Sequence, residues 1–428
     1  MPAFESPNIL IFLFDSLSTI DIDYAVLPTL SRLREESVVF TSAYTPNPQS
    51  SPARASLFTG LDPCVHGLWA NGVTLPDTEK TFAEVLLQAG YSNYLAGRYQ
   101  LAGVSNWTTE QVRNNEWSSC DWAHGPLHRS RQNAYLKWLQ QSAPDLYSRV
   151  FLNQAIPEDT QVTQQQRTEL DALPEQWSFN RWVGNKVSEW IATQSRAKPF
   201  LAIASFSVGD GLGAEPSAGS DGEVLNKQAM VQSDAAMAQV LAELSAGKQL
   251  DDTVVIVAAA RGNASANPID DAMSEQSLKV PLFIRRPGGG QQVIDAPVST
   301  IDLAPTILAY SHAPPVARMQ GGFLPGVFDE STSARGWAMS RLRTSTESGA
   351  QNWQTVFCKD QLKLIVQHGE SIENEKALRL YNLASDPYEQ CNLAEMAGHD
   401  TELELMIDQM IDARCALEDR SEPRIAEF

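Results

Sequence analysis

Continuous apolar runs along the chain predict buried strands of a mostly parallel sheet. The first run, Asn8 to Phe14, ends in Asp15, and similar runs follow at Pro199–Ser207, Thr253–Ala258 and Val280–Ile284. A strand that is apolar at every position is typical of a parallel sheet with both faces covered. Such sheets bind ligands at the carboxyl ends of their strands, so Asp15 lies where a site is expected.

Segments with helical periodicity alternate with these runs. They are Leu27–Glu36, Thr81–Ala89, Trp182–Thr193, Asn226–Leu244 and Thr300–Tyr310. Strands that alternate with helices predict an α/β fold, in which a large mostly parallel sheet is flanked by helices. The stretch 104–180 is polar and gives no clear pattern, whereas 211–222 is rich in Gly, Ala and Ser and is expected to be a loop.

The pattern changes after residue 345. Gln354–Cys358 and Leu362–Gln367 are predicted to be two strands joined by the tight turn Lys359–Gln361, and a helix is expected over Thr401–Glu418. We therefore expect two domains. The first is an α/β domain over 1–345, and the second is a small C-terminal α+β subdomain over 346–428 that carries an antiparallel sheet.

Composition narrows the classes of partner. The 428 residues carry 32 Lys and Arg against 52 Asp and Glu, a formal net charge of -20. Such a surface repels phosphate backbones and anionic lipid, so we expect neither nucleic acid nor membrane partners.

No basic segment or cleavage site precedes the first apolar run, and the cysteines show no CxxC spacing. Free thiols and a cytoplasmic location are the expectation.

The segment Ser50-Ser51-Pro52-Ala53-Arg54, followed by Thr59-Gly60, resembles the signature of the sulfatase family. In that family a Cys or Ser before x-Pro-x-Arg is oxidised to formylglycine, whose hydrate attacks the ester. Phosphonate monoester hydrolases and choline sulfatases share this signature and are the nearest in character. Further segments match in order: Leu27–Tyr44, Val280–Gly288, Asp302–Thr306 and Leu380–Ala394. The resemblance implies the fold of the alkaline phosphatase superfamily, with Ser50 at the nucleophile position and Arg54 as its catalytic arginine.

The resemblance also implies that an active member would hold one divalent cation, Ca²⁺, Mg²⁺ or Mn²⁺. The family binds it with two neighbouring Asp after the first strand and with an Asp plus His or Asn after a late strand. This chain has Asp15 followed by Ser16, and Ala260-Arg261-Gly262 at the late strand. An arginine 4 Å from a divalent ion costs about 8 kcal/mol at an effective dielectric constant of 20. We expect no cofactor, and we interpret Asp15 as a residual metal-ligand position or as the salt-bridge partner of Arg98 or Arg261.

The residues for proton transfer depart from the family pattern as well. The family's Gly-Lys-Trp-His is replaced by Gly97-Arg98-Tyr99-Gln100, so the positive charge is kept but Gln100 cannot transfer a proton. The segment Val208–Gly211 lacks the His of the family's Pro-His-x-Pro loop. A different metal site could be formed by Asp121, His124 and His128.

Three functions stay open at this point. The one we favour is a pseudo-sulfatase that acts as a binding or partner subunit, in a homo-oligomer or beside an active homologue. The second is a divergent hydrolase of sulfate, phosphonate or phosphate esters that uses Ser50, as formylglycine or as a hydroxyl. The third is an anion-binding module in which Arg54, Arg98 and Arg261 hold a small anionic ligand. For Arg54 a purely structural role is an equal alternative.

Overall fold

The computed structural model describes residues 6–104, 108–126, 128–151, 173–208, 220–263, 272–328, 335–345, 351–368 and 378–418. At 220–226, 344–345, 351–352 and 418 it describes the backbone alone. All five cysteines lie within these ranges and are free thiols, as predicted. No helix in the described ranges is both long and apolar enough to cross a bilayer.

Eight strands of the described residues form a mostly parallel central sheet, as predicted. They are β1 (Asn8–Ser16), β2 (Val38–Phe40), β4 (Ser92–Gly97), β5 (Ser119–Trp122), β6 (Phe200–Phe206), β7 (Thr253–Arg261), β8 (Leu282–Arg285) and β9 (Gln292–Ile294). A separate parallel pair consists of β3 (Ala43–Tyr44) and β10 (Val298–Ser299). The spatial order of the large sheet is β5-β4-β6-β1-β7-β8-β2-β9.

The central strands are buried along their whole length because they are apolar on both faces. Every residue of β6 and β7 is buried, as is all of β1 after Asn8. Strands β5, β4, β6, β1 and β7 run parallel to one another. Strand β8 runs antiparallel to β7 and β2, so the expectation of a parallel strand at Val280–Ile284 was wrong. An apolar run indicates burial on both faces but carries no information about strand direction.

Helices flank this sheet. They are α1 (Pro28–Glu35), α2 (Ser50–Thr59), α3 (Pro63–His66), α4 (Phe82–Gln88), α5 (Ala134–Ser142), α6 (Pro144–Phe151), α7 (Phe179–Ala192), α8 (Ser220–Ala246), α9 (Glu275–Leu278) and α10 (Leu303–Tyr310). The five predicted helices are present with shifted ends. Helix α8 begins inside the predicted loop 211–222, of which 211–219 lie outside the described residues.

The C-terminal subdomain is a four-stranded antiparallel sheet with one long helix. Its elements are β11 (Trp337–Ser345), β12 (Gln351–Lys359), β13 (Leu362–His368), β14 (Leu378–Asn382) and α11 (Asp400–Glu418). The predicted turn between β12 and β13 is present, with Asp360 and Gln361 at φ of 48° and 68°. The sheet begins at Trp337, before the boundary that the sequence suggested. Its two faces pack against α11 and against the larger domain.

A buried lysine joins the two domains. Nζ of Lys363 in β13 lies 3.2 Å from Oε1 of Glu275, the first residue of α9, and 2.7 Å from Oε1 of Glu389. Burial acts to lower the pKa of Lys363, but the two carboxylates outweigh it and the pKa is raised. Glu275 also accepts a hydrogen bond of 3.1 Å from the hydroxyl of Tyr44. This network fixes the C-terminal sheet beside the loops at the carboxyl end of the large sheet.

Candidate functional site

The carboxyl ends of four neighbouring strands bring the predicted site residues together. The register pairs Ser16 of β1 with Arg261 of β7, and Gly97 of β4 with Ser205 of β6. The ends of these four strands therefore lie side by side, at the sheet edge where α/β proteins bind ligands. Helix α2 begins at the same edge with Ser50.

Two arginines bind the carboxylate of Asp15, which is completely buried at the end of β1. Nη2 of Arg54 lies 3.2 Å from Oδ1, and Nη1 of Arg98 contacts Oδ2. The prediction that Asp15 forms a salt bridge with Arg98 or Arg261 is confirmed for Arg98. Arg54 is a second partner that the sequence did not indicate. A carboxylate removed from water requires such partners, because an uncompensated buried charge is costly.

Arg54 ties helix α2 to the ends of three strands. Besides Asp15 of β1, it contacts the carbonyl oxygen of Arg98 after β4 at 3.0 Å and Oγ of Ser205 in β6 at 3.0 Å. Its side chain is completely buried, and burial lowers its pKa while Asp15 acts in the opposite direction. These contacts are those of a structural anchor. A role for Arg54 in binding an external anion stays a prediction.

Arg261 contacts Ser50, the residue predicted from the family resemblance to stand at the nucleophile position. Its Nε donates a hydrogen bond of 2.9 Å to Oγ of Ser50, and its Nη1 donates to the carbonyl oxygen of Gly262 at 3.1 Å. Ser50 is buried, with 4% of its surface exposed. The next residue, Ser51, donates its backbone N–H to Oδ1 of Asn71 at 2.9 Å. Asn71 carried no signal in the sequence, because its loop matches no motif.

Glycines bring the backbone close around Arg98. Gly97 has φ of 101°, and a Cβ there would lie 2.3 Å from the carbonyl oxygen of Ser205. A Cβ on Gly125 would lie 3.0 Å from Nη2 of Arg98, so the loop after β5 can lie directly over this guanidinium. Gln100, which stands in place of the family's His, is buried and has φ of 59°. Its Oε1 has no hydrogen-bond partner among the described residues.

The residues of this site do not fit a divalent cation. Its described strand ends offer one carboxylate, Asp15, and both oxygens of that carboxylate are already bound to guanidinium groups. Ca²⁺ requires six to eight oxygen ligands, and Mg²⁺ requires an octahedral set. Within the described ranges, no group of three or more His, Cys, Asp or Glu is arranged to hold a metal.

The structure does not bring the second cluster suggested by the sequence together as a group of three metal ligands. Asp121 in β5 accepts a hydrogen bond of 2.5 Å from the hydroxyl of Tyr94. The rings of His124 and His128 lie near each other, with centroids 5.0 Å apart. These three residues are all described, yet they do not form a metal-binding group. Proximity along the sequence does not show that the carboxylate of Asp121 instead accepts a hydrogen bond from Tyr94.

Comparison with known proteins identifies the family. The Sulfatase family model matches residues 7–313, and the model for the C-terminal region of N-sulphoglucosamine sulphohydrolase matches residues 270–415. The uncharacterized sulfatase YidJ of Escherichia coli is 25% identical over 355 residues, which cover 71% of this chain and 68% of that protein. The ulvan-active sulfatase of Formosa agariphila is 24% identical over 330 residues, which cover 72% of this chain and 62% of that protein.

Solved structures show the same fold. The phosphonate monoester hydrolase SpPMH from Silicibacter pomeroyi superposes with a TM-score of 0.72 at 17% identity, over 95% of each chain. The similarity covers both the central sheet and the C-terminal subdomain. The fold that the sequence predicted is therefore confirmed.

Proposed function

The chain belongs to the sulfatase family of the alkaline phosphatase superfamily, and we propose that it is a non-catalytic member, a pseudo-sulfatase that acts as a binding or partner subunit. One observation carries this proposal, the double ion pair of Asp15 with Arg54 and Arg98. A metal bound to Asp15 would lie beside these two guanidinium groups. Each would repel that ion by about 8 kcal/mol at 4 Å and an effective dielectric constant of 20.

The ligand class that suits this site is a small oxyanion. The formal charge of the site is +2, because it contains three arginines and one carboxylate: Arg54, Arg98, Arg261 and Asp15. The N-terminus of α2 adds partial positive charge beside Ser50. Sulfate, phosphate or a carboxylate presents the paired acceptors that guanidinium groups bind best.

Thermal denaturation with added anions tests this binding. We expect sulfate, phosphate or a carboxylate to raise the melting temperature relative to chloride at equal ionic strength, and Arg261→Gln to remove the shift. Arg318→Gln is the matched control, since Arg318 is half exposed and paired with Glu79. No stabilisation by any of these anions, or an unchanged response of Arg261→Gln, would rule out the anion-binding role.

The partner version of the proposal requires a stable complex. We propose that the chain forms a homo-oligomer or pairs with an active homologue in the cytoplasm, where its free thiols would stay reduced. Native mass spectrometry of the protein isolated from its own host would detect such a complex. A strictly monomeric chain with no associated protein would contradict this version.

A divergent hydrolase is the competing function, and the contact between Arg261 and Ser50 favours it. A guanidinium N–H directed at a serine oxygen would stabilise negative charge on that oxygen. Aryl sulfate, phosphate and phosphonate esters should be assayed with added Ca²⁺, Mg²⁺ and Mn²⁺, for the native chain and for Ser50→Ala. We expect the native chain and Ser50→Ala to hydrolyse these esters at the same rate as the buffer without protein. Turnover that Ser50→Ala abolishes would replace the pseudo-sulfatase by this hydrolase.

A further inference from the structure

A cavity of about 340 Å³ lies between the two domains, away from the site at Ser50. It is lined by the loop after α10, the start of β11 and the end of α11. Gln320 in its wall donates its backbone N–H to the carbonyl oxygen of Gly60 at 2.9 Å. Gly60 follows the last residue of α2. The cavity is therefore at the opposite end of α2 from Ser50, about 15 Å along a helix that rises 1.5 Å per residue.

The walls of this junction cavity are largely apolar. Phe323, Pro325, Trp337 and Leu417 line it, and Phe323 is 53% exposed. A large apolar side chain left open at a concave surface is typical of ligand pockets, which combine apolar walls with a few placed polar groups.

An ion pair supplies the polar group. Oδ2 of Asp302 accepts the backbone N–H of Ser299 at 3.0 Å, and Oδ1 accepts that of Gly322 at 2.8 Å and contacts Arg335. The side chain of Asp302 is 6% exposed, against 18% for Arg335. Both residues line the cavity, and the guanidinium is the more exposed member of the pair.

The guanidinium of Arg335 also lies over the ring of Trp337. Its Cζ lies 4.7 Å from the centroid of the Trp337 ring. A guanidinium over an aromatic ring can still donate its N–H groups to a planar acceptor. The other polar side chain of the wall, Gln320, already bonds to Asp62 and Leu417.

We propose that the junction cavity binds a small carboxylate with an apolar body, such as an aryl-substituted short-chain acid. The carboxylate binds Arg335, and the body lies against Phe323, Trp337 and Leu417. The volume is at the low end for ligand pockets, so the ligand has the size of one ring with a short chain. This site is independent of the proposed function, because no residue of the Asp15 cluster lines it.

Calorimetric titration of the whole chain with 3-phenylpropanoate tests the proposal. We expect a Kd of about 1 mM or tighter, within reach of a ligand of this size. 3-Phenylpropanamide, which lacks the charge, and acetate, which lacks the apolar body, should each bind at least about tenfold more weakly. Arg196→Gln, which changes a largely exposed residue outside both sites, should bind 3-phenylpropanoate as the native chain does.

Two variants separate the parts of the site. Arg335→Gln should weaken binding about tenfold, with circular dichroism to confirm that the variant is folded. Phe323→Ala should weaken it several-fold, and this residue is exposed enough to be replaced without harm to the fold. The proposal is overturned if 3-phenylpropanoate does not bind up to about 10 mM, if acid and amide bind equally, or if Phe323→Ala has no effect. If Arg335→Gln does not fold, the comparison of acid with amide decides.

Discussion

Nε of Arg261 lies 2.9 Å from Oγ of Ser50, and the two residues are 211 positions apart in the chain. The late strand β7 thus ends in an arginine that contacts the hydroxyl of Ser50, the residue predicted to stand at the nucleophile position. Beside this contact, Arg54 and Arg98 bind Asp15. On our account these guanidinium groups take over the balance of charge that a divalent cation provides in catalytic relatives.

If Asp15 is the anion that holds this cluster together, its removal should be costly. Asp15→Asn leaves two buried guanidinium groups without a carboxylate, and we expect a loss of about 3–5 kcal/mol in the free energy of unfolding. Glu189→Gln is the control, because it breaks a pair with Lys186 in which Glu189 is 64% exposed, and it should cost less than about 1 kcal/mol. Urea unfolding measures both. Similar small losses in the two variants would show that Asp15 is not needed to compensate the arginines.

Gly97 offers a test of the close approach that positions Arg98. A Cβ at Gly97 would lie 2.3 Å from the carbonyl oxygen of Ser205, whereas at Gly90, with nearly the same φ, no atom lies within 4 Å. Gly90→Ala should therefore lower the free energy of unfolding by about 1 kcal/mol, the cost of backbone strain alone. Gly97→Ala should lose several kcal/mol more, or fail to fold, because a backbone carbonyl cannot move aside cheaply. Equal melting temperatures for the two variants would contradict this packing.

The sequence placed Asp15, Ser50, Arg98 and Arg261 at one site because each stands at the end of an apolar strand or in a contiguous motif. It could not decide which arginine binds Asp15, since that choice depends on side-chain directions across strands that are distant in the chain. The second partner, Arg54, belongs to a helix whose orientation no local pattern specifies. Ser205 and Gly125 gave no signal, because their roles depend on where the guanidinium groups of Arg54 and Arg98 lie.

Glu116 should make stability depend on pH. It is buried, accepts a hydrogen bond of 2.7 Å from Tyr99, and burial raises its pKa from 4.5 to about 7. The folded state thus binds the proton of Glu116 more tightly than the unfolded state does. The protonated carboxyl therefore contributes fully to the free energy of unfolding below pH 4.5, and this contribution is lost as pH rises through 7. Glu116→Gln should exceed the native chain in stability by about 3 kcal/mol at pH 8 and by less than about 1 kcal/mol at pH 5. Urea unfolding at both values checks this, and a difference independent of pH would refute it.

Lys363 should contribute more to stability than the neighbouring lysine on the same carboxylate. Lys363 is fully buried between Glu275 and Glu389, whereas Lys279 is partly exposed and 3.8 Å from Glu275. Lys363→Met leaves two buried carboxylates, and we expect a loss of about 3–5 kcal/mol with faster hydrogen exchange in β13. Lys279→Met should cost less than about 1 kcal/mol. Equal losses in the free energy of unfolding for the two variants would show that the ion pairs of Lys363 with Glu275 and Glu389 do not join the domains.

The architecture was more predictable than its details. Long strands such as Asn8–Ser16 and Thr253–Arg261 are evident because burial on both faces leaves their inner positions, Ile9–Phe14 and Val254–Ala260, apolar throughout. The three-residue strands Val38–Phe40 and Gln292–Ile294 are too short to show a period, so their place in the sheet emerged only from pairing. Polar segments such as 119–122 were not assigned, since edge strands lack the apolar signature.

The metal content of the purified chain tests the central claim most directly. Equilibrium dialysis against Ca²⁺, Mg²⁺ and Mn²⁺ in turn, followed by elemental analysis of protein and buffer, gives the number of bound ions for the native chain and for Asp15→Asn. We predict less than about 0.1 ion per chain in both, because Asp15 is already bound to two guanidinium groups. About one ion per native chain that is lost in Asp15→Asn would contradict the account.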